Sequence, residues 1–403
     1  MTRIIEILIS LAIVLALFLL VGLVLPSSRH IEEKVETNRK LTIVYDTISS
    51  LKRFEDWNPL VLRDPNVDLK VSGPESGVGA RVDFRSNKKQ VGEGSWEIVA
   101  AEPGRSVTYA VTNPQLGTNK TMTFTLRPTG RNNRNVEITQ TYDVDYGWNI
   151  FGRYAGLYVS RHVGDGMEMG LQKLSNLLAQ VPNVDYRVQG SRLANLGIVE
   201  LPAQDLLVVN AGSIERNNQV IKDSMKDNME WIRRTMAAND LEPAGAMQIV
   251  SLEMGRETYT FHVRQPVRRA GSGDDEAADD EAGAADDAVA DSDAAADAAA
   301  EGDAAAEPKP EDQKLARLVA ASGEPLEGLK LQGPVTYTRT EPGRFAAGTY
   351  VGYMAELEAV RNAIRAWAMT QDEEAMQSFE VYKNGIDKSF TAEGEYDVYW
   401  RLR

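Results

Sequence analysis

Apolar residues fall along this chain in three rhythms. From 4 to 25 (IIEILISLAIVLALFLLVGLVL) they run together, and the only charge among them is Glu6. As a helix this stretch reaches roughly 33 Å, enough to cross the hydrocarbon layer of a bilayer. Lipid offers no partners to backbone N–H and C=O groups, so a continuous helix is the expected form. No face of it is polar, which argues against a buried core helix. The run is longer than the apolar stretch of a secretory signal, and Pro26-Ser27-Ser28-Arg29 lacks a small-x-small cleavage pattern. The expectation is an uncleaved anchor.

The second rhythm is alternation. After a strand at 31–38 and one or two short helices within 40–56, apolar residues stand two apart, as on half-buried strands. They are Val82 and Phe84; Trp96, Ile98 and Ala100; Val107, Tyr109 and Val111; Met122, Phe124 and Leu126; and Val136, Ile138, Tyr142 and Val144, broken by Gln140. Gly77-Val78-Gly79, Gly92-Glu93-Gly94, Glu102-Pro103-Gly104 and Pro128-Thr129-Gly130 supply the turns. The third rhythm is helical: Met167, Leu171, Leu174, Leu178 and Val181 predict one long amphipathic helix. Many antiparallel strands closed by one long helix imply a curved sheet with a cavity beneath the helix.

Beyond a polar stretch at 182–192, a pattern occurs twice. LLVVNAGS leads into a helix carrying Val220, Ile221, Met225, Trp231, Ile232 and Met236; RFAAGT leads into one carrying Leu357, Val360, Ile364 and Trp367. Gly212 to Trp231 and Gly348 to Trp367 have the same spacing. Each helix is followed by a similar strand (246–250 and 375–379) and a closing alternation, Tyr259-Phe261-Val263 or Tyr396-Val398-Trp400. Neither copy can cover both faces of its own sheet, so the two are expected to pack as one pseudo-symmetric domain.

Composition changes the picture in two places. The net charge is −15, but residues 274–307 hold 14 acidic residues, 16 alanines and no basic residue, which leaves the rest near neutral. That tract has too little apolar surface to offset its ordering entropy and is expected to be a disordered spacer. With no basic stripe elsewhere, nucleic-acid binding has no support. There are no cysteines, which excludes disulfides, thiolate nucleophiles and cysteine metal sites. His30, His162 and His262 are widely separated, and no HExxH, P-loop, G-x-G-x-x-G or G-x-S-x-G string occurs. No metal and no cofactor is expected. His162 reads as an ordinary helix histidine.

Two resemblances add to these readings. The order helix, FEDWNPL, strands, long helix, with Trp57-Asn58-Pro59, Gly77-x-Gly79 and GEGSWEIVAAEPGRSVTY, resembles the START-like (SRPBCC, polyketide-cyclase-type, helix-grip) superfamily over residues 30–182. The resemblance implies an apolar small-molecule or lipid cavity, with Trp57 at its mouth and Tyr109, Phe124 and Tyr142 as further lining candidates. It supplies no universal catalytic set. The repeated region, 193–266 and 326–403, resembles the GyrI-like effector-binding family through Phe379-Glu380-Val381-Tyr382. This implies a groove between the repeats in which Glu380 holds a cationic or polar ligand. Tyr353, Trp367 and Tyr382 would then present aromatic faces. Aligning the copies sets Ser251 against Glu380. Gly352-Tyr353 lacks the proline of that family's turn, and no DNA-binding helix pair accompanies the module.

The expected fold class is therefore α+β. It comprises a transmembrane anchor (1–28), a helix-grip domain (29–182), a linker (183–192) and a GyrI-like domain in two repeats (193–270 and 314–403) split by a disordered insertion (271–313). The favoured function is a membrane-anchored binding protein for small hydrophobic or amphipathic, including cationic, molecules, with membrane lipid as a partner. The alternative is a hydrolase or cyclase with Glu380 as general acid/base; a third reading is a tethered interaction module. The basic residues flanking the anchor lean weakly toward the opposite orientation. Long domains translocate largely regardless of charge, so the expected location is the bacterial inner membrane with the soluble domains in the periplasm.

Overall fold

The computed structural model describes residues 2–89, 91–187, 192–271, 315, 318–321 and 323–403. Apart from Gly271, the expected acidic insertion at 271–313 lies outside the described residues. The chain divides into two compact units: 1–191 with 358–376 and 402–403, and 192–357 with 377–401. Both are mixed α+β with antiparallel pairing, in agreement with the expected fold class.

The first unit opens with α1 (Thr2–Val24), whose apolar side chains are exposed along its length. A seven-stranded sheet follows, from β1 (Ser28–Thr37), β2 (Asp68–Ser72), β3 (Arg81–Arg85), β4 (Glu93–Glu102), β5 (Ser106–Thr112), β6 (Thr118–Thr129) and β7 (Asn135–Asp145). Its order is β1-β7-β6-β5-β4-β3-β2, so the first strand closes the sheet against the last. Three short helices, α2 (Leu41–Ser49), α3 (Phe54–Trp57) and α4 (Pro59–Arg63), fill the excursion between β1 and β2. The long α6 (Asp165–Gln180) buries Met167, Leu171, Leu174 and Leu178, the helical stripe seen in the sequence. Two glycines one turn apart let the short helices approach it. A Cβ on Gly170 would stand 3.2 Å from Pro59 Cδ, and one on Gly166 would stand 2.7 Å from an Arg63 guanidinium nitrogen.

Trp57-Asn58-Pro59 has a local explanation. Asn58 Oδ1 accepts from Leu60 N at 3.0 Å and caps α4, while Pro59 occupies the first helical position. The polar stretch expected as a linker begins tightly bound. Tyr186 Oη donates to Asp46 Oδ2 at 2.8 Å, Arg187 pairs with the same carboxylate at 3.0 Å, and Thr42 donates to Asp185 at 2.9 Å.

A helix not foreseen in the sequence, α5 (Ile150–Ala155), fastens α1 to the sheet. Arg153 Nη1 donates to the carbonyls of Leu23 (2.8 Å) and Leu25 (3.2 Å), which are orphaned where α1 ends. Its Nε and Nη2 both reach Gly147 O, at 2.8 and 2.7 Å. Phe18 and Tyr154 stack at 4.5 Å, and Tyr154 Oη donates to Phe18 O at 2.9 Å. A Cβ on Gly22 would lie 2.4 Å from Ile150 Cγ2, so the close approach depends on that glycine.

The second unit is built on one sheet of nine strands. These are β8 (Leu193–Leu201), β9 (Asp205–Glu215), β10 (Leu241–Pro243), β11 (Gln248–Met254), β12 (Thr258–Arg269), β13 (Thr336–Arg339), β14 (Gly343–Val351), β15 (Ala375–Tyr382) and β16 (Glu395–Leu402). The order is β13-β9-β12-β11-β15-β16-β14-β8, with β10 on β12. Each copy contributes three strands in the same internal order, and the copies meet at β11 and β15, where Ile249 lies opposite Glu380. The outer strands are exchanged: β8 precedes the first copy but pairs with β14, and β13 precedes the second but pairs with β9. The helix of the first copy is α7 (Asn218–Ala237), that of the second is α8 (Leu357–Thr370), and α9 (Gly385–Lys388) follows β15. Most of α8 groups with the first unit.

Candidate functional site

The first unit holds a partly open cavity of about 80 Å³ between the sheet, α4 and the start of α6. Phe84, Trp96, Val111, Met122, Tyr142 and Met167 give it apolar walls. Trp57, Tyr109 and Phe124 stand behind those walls rather than on them. All three are buried, and Trp57 meets Phe54 and Phe124 edge-on at 5.5 Å in each case. Tyr109 Oη donates to Ile48 O, and burial pushes its phenol far above the usual range. Of the four aromatic candidates in this unit, Tyr142 lines the cavity; burial raises its phenol as well.

Two amides face the same space. Asn58 is fully buried; its Oδ1 is used by the cap of α4, and its Nδ2 has no hydrogen-bond partner. Gln140 is also buried, and its Nε2 donates to Met122 Sδ at 2.6 Å. A thioether is a weak acceptor, so this amide is held in place with much of its hydrogen-bonding capacity unspent. The signal for Gln140 is present in the sequence as the one polar break in the inward alternation of β7. At the rim, buried Lys120 donates to Asn113 Oδ1 and Gln115 O, both at 2.6 Å, and burial lowers its ammonium pKa. This pins the loop carrying Asn113 and Gln115, which also line the cavity.

In the second unit Glu380 is fully buried at the centre of the sheet. Tyr382 lies on the same face two residues on and packs edge-on against Tyr396 at 5.0 Å. A cleft of about 580 Å³ runs beside α7, lined by Met229, Glu230, Arg233, Met247, Tyr382 and Asp387 among others; Glu380 is not on its surface. Lys222 and Lys226 each stand 2.8 Å from Asp387 Oδ1, and their hydrogen bonds pull its carboxyl down to about 2. Tyr353 is half exposed just before α8. Trp367 is half-buried on α8, in the segment that groups with the first unit. The four candidates of this region therefore divide into a buried pair on β15, Glu380 and Tyr382, and two residues on or beside α8. Among the described residues, no group of three or more acidic or histidine side chains is placed to hold a metal ion.

Helix Arg3–Val24 is long and apolar enough to cross a membrane, a property it shares with signal sequences. No curated protein matches the chain. Similar solved structures include norcoclaurine synthase from Thalictrum flavum in complex with dopamine and hydroxybenzaldehyde. It is 14% identical, with 40% of this chain and 91% of that one covered and a TM-score of 0.31. A Thermobifida fusca protein solved by NMR is 18% identical over 38% of this chain and 93% of its own, with a TM-score of 0.30. A Bacillus thuringiensis protein is 16% identical over 38% and 99%, with a TM-score of 0.28. Residues 28–179, which hold the sheet of the first unit and nearly all of its long helix, match the family described as polyketide cyclase / dehydrase and lipid transport.

Proposed function

We propose that this protein is a membrane-anchored binder of small hydrophobic or amphipathic molecules, taken up by the cavity of the first unit. The observation that carries this reading is the pair of buried amides, Asn58 and Gln140, in a mostly apolar lining whose other polar members are Arg63, Asn113 and Gln115. A buried donor without an acceptor costs about 1–3 kcal/mol, and a ligand oxygen recovers that loss. Both amides are neutral, so the ligand end that suits them is a hydroxyl, carbonyl or ester. About 80 Å³ has room for such a group and a few methylenes, which leaves a longer tail toward the opening.

The bilayer part of the reading rests on α1 and the surface beside it. Around α5, Trp148 (84% exposed), Phe151 (71%) and Tyr158 (61%) leave large aromatic surfaces in solvent next to the stacked Phe18–Tyr154 pair. Aromatic residues concentrate at membrane–water boundaries, and a patch joined to the end of a spanning helix fits that place. The favoured orientation puts the domains on the periplasmic face. The duplicated sheet serves as a second, GyrI-like module; its exchanged, symmetric strand order supports that reading.

Isothermal titration of the full chain in lipid nanodiscs with 1-octanol tests the cavity. Binding is expected with a negative heat-capacity change. It should weaken at least tenfold in Gln140→Leu, and also in Asn58→Asp, which keeps the cap but removes the donor. Equal affinity in all three proteins would sink the proposal. Because the chain has no cysteine, a single Phe151→Cys variant carrying an environment-sensitive dye reads out bilayer contact separately. Protease accessibility in spheroplasts decides the orientation.

A further inference from the structure

On the face of the second sheet opposite Glu380 lies a separate cavity of about 260 Å³. Its walls include Gln204, Arg264, Arg339, Arg401, Phe345 and Phe379. The topology explains why these residues meet. Arg264 on β12 is in register with Gln248 on β11, and Gln248 Nε2 donates to Gln204 Oε1 at 3.1 Å. Arg339 ends β13, the exchanged strand on β9, and its Nη2 donates to Gly323 O at 2.8 Å. Arg401 on β16 lies over the Phe345 ring at 5.9 Å, and Phe345 meets Phe379 edge-on at 5.8 Å.

Three donors in this group are buried without an acceptor: Gln204 Nε2, Arg264 Nε and Arg339 Nη1. Native structures seldom leave several such groups together, because each forfeits its hydration. Asp205 forms an ion pair with Arg339, and its Oδ2 is itself buried without a hydrogen-bond partner. Its Oδ1 already accepts from Tyr337 Oη at 2.6 Å and stands 3.6 Å from Arg339 Nη1, beyond hydrogen-bond range. Glu341 also lines the cavity but is exposed. Burial lowers the pKa of Arg264, the direction expected of a cation lacking a counter-charge.

We infer that this cavity is an anion site. It takes a small organic anion whose carboxylate or phosphate oxygens accept from Arg264, Arg339 and Gln204 while its apolar body packs on Phe345 and Phe379. Guanidinium groups suit such oxygens because their donors form a planar fork. The same chemistry is available from a free metabolite or from the carboxylates of the chain's own tract at 274–307. The site is independent of the octanol cavity and of Glu380.

The test uses the full chain and a variant lacking residues 274–307, each titrated with phenyl phosphate, benzoate and, as a control of opposite charge, benzylammonium. Binding of either anion to the full chain, accompanied by a rise in Tm, identifies a free anion as the occupant. Binding only after removal of the tract identifies the tract. In whichever form binds, Arg264→Met should weaken the anion at least tenfold and abolish the rise in Tm, and Arg339→Gln should do so in part. In the form that binds, anion affinity should fall steeply with salt. No anion binding in either form, unchanged affinity in Arg264→Met, or equal affinity for benzylammonium would overturn the inference. If Arg264→Met misfolds, the affinity of Arg339→Gln decides the matter by the same criterion.

Discussion

The two sheets of this protein differ in what they bury between apolar neighbours. On the inward face of β7 the sequence is Val136, Ile138, Gln140, Tyr142 and Val144, so its polar groups are one amide and one phenol. In the second sheet Glu380 and Asp397 are fully buried, and Arg264, Arg339 and Arg401 gather on one wall. Neutral groups are cheaper to desolvate than ionised ones. The first sheet does bury Lys120 on β6, but ties that ammonium to Asn113 and Gln115. The second has to place its charges against other polar groups or leave them near open clefts.

The largest expected effect tests how tightly the first sheet is packed. Trp57→Ala removes a fully buried indole lodged between Phe54 and Phe124. A loss of about 3–5 kcal/mol is expected in denaturant titration. Tyr353→Ala, at a half-exposed position in the second unit, should stay within about 0.5 kcal/mol. Similar losses at both positions would erase the distinction between a closed core and a solvated surface position.

A smaller effect separates the binding sites. Glu380→Gln keeps side-chain volume while removing a carboxyl from the centre of the second sheet. Stability should fall by about 1–3 kcal/mol, in the range of one charge-assisted hydrogen bond. Octanol affinity in the first unit should not change. A shift in octanol affinity would mean that the two units act as one site. The same variant tests the acid/base alternative, which requires turnover to disappear with the carboxyl.

How much of this is legible in the sequence follows from where each signal originates. β4 to β7 and α6 are visible because their apolar residues face a core, and period-2 or helical spacing records that directly. α5 is invisible for the same reason in reverse. Phe151 faces solvent and Tyr154 stacks on Phe18 of α1, so the segment carries no core-facing stripe. β8 and β13 also escape a local reading, since each completes the other copy's edge and nothing nearby announces an exchange. At the site, Trp57-Asn58-Pro59 stands out for its indole, yet Asn58 and Pro59 are the residues that face the cavity. Gln140 shows only as a flaw in a pattern. The arginines of the anion site come from β12, β13 and β16, and no sequence window contains them together.

The smallest expected effect concerns the open cleft and depends on pH. Hydrogen bonds from Lys222 and Lys226 hold the Asp387 carboxyl at about 2, below its ordinary 3.8. A carboxyl depressed by folding stabilises the folded state above its unfolded pKa, and that contribution is lost as pH falls through the folded value. Wild type should therefore exceed Asp387→Asn in Tm at pH 5–7, with the difference shrinking between about pH 4 and pH 2 and vanishing below. The carboxylate is well exposed, with 69% of its side chain in solvent, and salt screens such pairs, so the gap should also narrow in 1 M NaCl. Arg153→Met provides the opposite case: its guanidinium donates to fixed carbonyls in the first unit, which do not titrate, so its stabilisation should be flat across the same range. A pH-independent gap for Asp387→Asn would mean that the lysines are not its partners in solution, and the cleft would lose the charged rim that distinguishes it from the cavity of the first unit.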